Sequence, residues 1–75
     1  TVDQPLFEAL RTLRRSLSDA AGVPAYVVFN DATLADMVAL KPRDADGMSR
    51  VSGVGQAKLE RYGHEFLSVI REHHG

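Results

Sequence analysis

A chain of 75 residues has room for one domain with one modest core. Its 44% hydrophobic and 25% charged residues exclude a disordered chain, and the lack of cysteine excludes a disulfide framework or thiolate zinc site, leaving helix packing to supply stability. A net charge of -1 excludes a strong non-specific polyelectrolyte binder, and no apolar run approaches the length of a membrane span.

From Pro5 to Ala21, Leu6, Leu10, Leu13, Leu17 and Ala21 recur at three-and-four spacing, which predicts an amphipathic helix. Pro5 suits its first turn and Asp3 or Gln4 its cap, while Gly22 and Pro24 end it. The run Ala25-Tyr26-Val27-Val28-Phe29 has strand propensity, but a lone strand would find no partner here. One or two helical turns are expected instead. Asn30 or Asp31 caps a further helix carrying Leu34, Met37, Val38 and Leu40, which ends before Pro42. Asp44 opens a short acidic turn that passes Met48, Val51 and Val54 and reaches Gly53 and Gly55. Residues 56–74 form a long final helix with Leu59, Tyr62, Phe66, Val69, Ile70 and His73 on one face. Gly63 on that face would let another helix approach closely. The pattern is therefore all-α, without internal repeats.

Few residues offer chemistry. Gly53 and Gly55 precede a helix, an arrangement that exposes amide protons at a positive helix end and resembles the hairpin of helix-hairpin-helix DNA-binding motifs. A plain sharp turn with Val51 and Val54 packed beneath it carries the greater weight. Arg11, Arg14 and Arg15 share one flank of the first helix, where Glu8 and Asp19 are spaced to pair with two of them. Lys41, Arg43 and Arg50 border loops, and Lys58 and Arg61 lie near the glycine turn. Tyr26 is either a core residue or a surface ring able to stack on an unpaired base. His64, His73 and His74 make no metal set, and Asp44 and Asp46 are placed to close a helix end. No nucleophile, base and orienter can be assembled, so no catalytic residue is expected.

Three stretches, Leu6-Phe7 to Leu17, Val23-Pro24-Ala25-Tyr26-Val27-Val28-Phe29-Asn30-Asp31-Ala32-Thr33-Leu34, and Gly53-Val54-Gly55 with Lys58-Leu59-Glu60-Arg61-Tyr62-Gly63, closely resemble an HRDC domain, the helicase-and-RNase-D C-terminal domain. The likeness covers essentially the whole chain and is strongest to bacterial RecQ DNA helicases. It implies a compact all-α bundle of about five helices, a single domain over residues 1–75, appended to a longer protein whose core uses ATP and Mg to unwind DNA in the 3′ to 5′ direction during recombination and repair, in the bacterial cytoplasm at the nucleoid. Thr1 in place of Met and the lack of a secretion signal fit a fragment of such an intracellular protein.

The domain itself, with no cofactor of its own, would bind single-stranded or structured DNA weakly. Tyr26 matches the family's surface aromatic, and Arg15, Lys41 and Arg43 are expected beside it, with Gly53, Gly55 and Lys58 as a phosphate-binding turn. Asp19, Asp36, Asp44 and Asp46 depart from the basic face of bacterial single-strand binders. They define an alternative, a regulatory module docking on its own helicase core or on another repair protein. An RNase D accessory domain acting on RNA shares the fold, but the run from Tyr26 to Asp31 disfavours it.

Overall fold

The computed structural model describes residues 3–73, which form α1 Gln4–Ala21, α2 Ala25–Val28, α3 Asp31–Leu40, α4 Ala45–Ser49 and α5 Gln56–Glu72, with no strand among them. Local chemistry sets each boundary. Asp3 Oδ1 accepts the Leu6 amide at 3.2 Å, and Pro5 stands in the first turn of α1, where no amide proton is missed. Gly22 closes α1 at φ +69, and the Val23 amide donates back to the Ser18 carbonyl at 3.0 Å, a closure that favours a residue without a Cβ.

The β-prone run after Pro24 is helical, as expected. Burying Val28 and Phe29 fixes that outcome, because each is at most 1% exposed in the core. Asn30 Oδ1 then accepts the Thr33 amide at 2.8 Å and starts α3, and Asp44 Oδ1 accepts the Gly47 amide at 2.8 Å and starts α4.

The core joins Leu6 and Leu10 of α1, Leu34, Met37 and Val38 of α3, Met48 of α4, and Phe66, Leu67 and Ile70 of α5. Phe29 is its hinge. Its ring meets Phe66 edge-on at 5.0 Å between centroids and Tyr62 at 6.0 Å. Val51 and Val54 are buried beneath the glycine turn, as the plain-turn reading requires.

The helices α3 and α5 both run opposite to α1. Asp31 pairs with Arg14 and Lys41 pairs with Asp3, so α3 travels back along α1. Arg71, near the end of α5, donates from Nε and Nη2 to the Arg43 carbonyl at 3.0 and 2.6 Å, while Ser52, just before α5, donates its amide to Asp36 at 2.8 Å. The molecule thus has two poles. One holds the later half of α1, α2 and the start of α5; the other holds Asp3, Lys41, Arg43 and Arg71.

Several expectations need correction. The buried stripe of α1 is Leu6, Leu10, Arg14 and Ser18, whereas Leu13 and Leu17 are half-buried and Ala21 is exposed. Arg14 takes an interior place because its long stem packs while its guanidinium finds acceptors at the α2–α3 junction. Leu40 is 53% exposed, since α3 ends there with Lys41 in the left-handed conformation at φ 45. A Cβ on Gly63 would meet Leu59 of its own helix at 2.8 Å, so the space there is filled from within α5 rather than by another helix. α5 ends at Glu72 with His73 exposed as its cap, and His74 lies outside the described residues.

Candidate nucleic-acid interface

Tyr26 is 69% exposed on α2. The helix is too short to have a buried face for every side chain, and with Val28 and the following Phe29 turned inward, Tyr26 and Val27 face outward. A phenol ring in water beside polar neighbours is a stacking platform for a base.

Arg14 builds the floor beside it. Its Nη1 donates to the Phe29 carbonyl at 3.0 Å and contacts Asp31 Oδ1 at 2.8 Å, which ties α1 to the junction of α2 and α3. Its Nε has no hydrogen-bond partner. Expected on an exposed basic flank, Arg14 is instead 9% exposed and structural. Two shallow depressions share it and Ala25 as lining. One holds Arg14, Ala25, Tyr26, Asn30 and Asp31; the other holds Glu8, Arg11, Thr12, Arg14, Arg15 and Ala25. Tyr26 is therefore continuous with exposed Arg11 and Arg15. Arg11 approaches Glu8 at 3.6 Å with both side chains more than half exposed, a pair worth little. The expected pairing of Arg15 with Asp19 does not form, so Arg15 makes no ion pair among the described residues.

Lys41 and Arg43, expected near Tyr26, lie at the other pole. The ten residues of α3, from Asp31 to Leu40, span about 15 Å at 1.5 Å per residue. Lys41 Nζ reaches Asp3 Oδ2 at 3.3 Å. The same Asp3 carboxyl sits below the usual carboxylate range, chiefly because it accepts the Leu6 amide, with burial opposing and Lys41 and then His73 adding to the effect.

The glycine turn divides in two. Gly53 has φ +87, and a Cβ there would collide with Thr33 Oγ1, so this glycine allows the turn to dock on α3. Gly55 faces open space at the start of α5, where no side chain caps the helix. Lys58 Nζ lies 5.7 Å from the centre of the Phe29 ring.

The four acids are not gathered into one patch. Asp36 accepts the Ser52 amide at 2.8 Å, Asp44 caps α4, Asp46 pairs with Arg50 at 3.0 Å, and exposed Asp19 stands alone near the end of α1. Among the described residues no three His, Cys, Asp or Glu side chains gather to hold a metal, and no helix is long and apolar enough to cross a membrane.

The sequence grouped Arg11 with Arg15 on one flank of α1 and Lys58 with Arg61 on α5, but did not bring Arg11 to Tyr26. Their spacing was visible, but the direction in which α2 returns over α1 was not.

The family model of the HRDC domain matches residues 3–70. ATP-dependent DNA helicase RecQ of Haemophilus influenzae is 45% identical over 71 residues, covering 95% of this chain and 12% of the relative. ATP-dependent DNA helicase UvrD2 of Mycobacterium tuberculosis is 40% identical over 70 residues, covering 93% of this chain and 10% of the relative. The chain thus spans about an eighth of the length of such relatives or less. A solved structure, D. radiodurans RecQ HRDC domain 3, superposes with a TM-score of 0.86 at 42% identity, over 89% of this chain and 88% of that one.

Proposed function

Since the chain belongs to the HRDC domain family, a non-catalytic domain of RecQ-type helicases, we propose that it is an accessory module that holds single-stranded DNA weakly for an attached helicase. The exposure of Tyr26 beside Arg11 and Arg15 carries this reading. A base stacks on the phenol ring and the two guanidiniums meet the flanking phosphates. Two or three such contacts on a chain of net charge -1 give low affinity, which suits a domain that biases substrate choice without trapping the enzyme on DNA.

The attached protein is, on this reading, an ATP-dependent 3′ to 5′ DNA helicase of recombination and repair in the bacterial cytoplasm. ATP and Mg serve its catalytic core and not this domain, which forms one terminal unit of it. The acidic docking alternative is less well supported, because Asp36, Asp44 and Asp46 are engaged in local bonds.

Fluorescence anisotropy of a labelled oligothymidine at low salt tests the proposal. Binding should weaken by about fivefold to a hundredfold in Tyr26→Ala, since one stacked base is worth about 1–3 kcal/mol, and it should fall with added salt. A folded domain that fails to bind at high micromolar concentration would refute it.

A further inference from the structure

Tyr26 and Val27 are neighbours on α2 but open onto different sides of it. Tyr26 faces the depression shared with α1, whereas Val27, 40% exposed, lines a groove with Ala57, Lys58, Glu60, Arg61 and Tyr62 of α5. This groove has an apolar ledge and two cations. Lys58 lies against the Phe29 ring, and the Arg61 guanidinium carbon lies 6.0 Å from the centre of the Tyr62 ring. Neither makes an ion pair among the described residues, which leaves both charges available to an anion. The groove's carboxylate, Glu60, accepts a hydrogen bond from Gln56 Nε2 at 2.7 Å along its own helix.

We propose that this groove is a second arm of the DNA site, in which a strand stacked on Tyr26 crosses α2 over Val27 and lays its next phosphates against Lys58 and Arg61. The proposal rests on the single-strand reading given above and extends it from one patch to a track across α1, α2 and α5. Adjacency carries it: the depressions of Arg11, Arg15 and Tyr26 share Arg14 and Ala25, and Val27, next to Tyr26 in α2, lines the groove of Lys58 and Arg61. Uncapped Gly55 lies at the α5 end of that track, where phosphates would pass next. The occupant is a nucleic-acid strand rather than an acidic peptide because a hydrophobic ledge alternates with cations beside an exposed aromatic ring, matching alternating bases and phosphates.

Oligothymidines of three and twelve nucleotides separate the arms. Lys58→Gln with Arg61→Gln should weaken the longer oligonucleotide severalfold and lower its salt slope by about 1.4, roughly 0.7 per lost phosphate contact, while leaving the trinucleotide unchanged. Lys41→Gln with Arg43→Gln removes the same charge at the other pole and should do neither. Glu60→Gln should tighten the longer oligonucleotide. Circular dichroism confirms that each exposed variant is folded. If Lys58→Gln with Arg61→Gln leaves the longer oligonucleotide's affinity and slope intact while Tyr26→Ala still weakens it, the second arm is wrong and the Tyr26 site stands. Equal weakening of both oligonucleotides also overturns the two-arm arrangement. If Tyr26→Ala has no effect either, the single-strand reading fails with it.

Discussion

Replacing Arg14 with methionine separates its structural work from any part in binding. The variant keeps an apolar stem in the core but removes the donor that satisfies the Phe29 carbonyl at 3.0 Å. An unsatisfied buried carbonyl costs about 1–3 kcal/mol. Loss of the buried charge and of the partnerless Nε returns part of that, so the net cost is about 1–2 kcal/mol. For a domain of this size that is roughly 4–16 °C in melting temperature. Asp31→Asn tests the other contact. Its carboxylate side chain is 75% exposed, so water replaces Arg14 readily and the loss stays below about 1 kcal/mol. Thermal and urea unfolding followed by circular dichroism measure both. A variant Arg14→Met that melts with the wild type would refute the argument. So would an Asp31→Asn variant that loses as much stability as Arg14→Met, because the exposed ion pair and not the carbonyl would then hold α1 to the α2–α3 junction.

Gly53→Ala should destabilise the fold by about 1 kcal/mol or more, from positive φ and from the collision with Thr33 Oγ1; Thr33→Ala should restore part of the loss in a double-mutant cycle of melting curves. Asp3→Asn keeps a capping oxygen but removes the charge. Because the folded Asp3 carboxyl titrates below its unfolded value, its contribution is complete above the unfolded value and fades as pH falls through the folded one; the melting-temperature gap between wild type and Asp3→Asn should therefore close below about pH 4. A gap that widens in acid would contradict that sign. Tyr26→Ala should leave stability within about 0.5 kcal/mol, since its ring is mostly in water, so any change in DNA affinity reports the contact itself.

The helices were legible because their punctuation is local. Asp3 with Pro5, Gly22 with Pro24, and Asn30 each act on a backbone a few residues away, and the structure uses them as the sequence implies, whereas Asp44, read as opening a turn, caps the short helix α4. Val28 and Phe29 were legible as core for a different reason, since no strand partner existed to hold their run extended. What the pattern concealed is rotation about each helix axis. Arg14 falls at the same four-residue interval as Leu6 and Leu10, yet a charged residue is read as surface unless its acceptors are known, and those come from Phe29 and Asp31. The site was half legible on the same account. Tyr26 and Arg15 line adjoining depressions because α2 folds back on the later half of α1. Lys41 and Arg43 part from them because α3 then runs the length of the domain, a consequence of helix direction that no local spacing encodes.

The most direct test is a two-dimensional NMR titration of the isotopically labelled domain with unlabelled oligothymidine. The account predicts shifts at residues 11–15 and 25–28, extending to Lys58 and Arg61 with the longer strand, and quiet signals at residues 41–50. Shifts confined to 41–50, or none at concentrations where the domain remains folded, would contradict it.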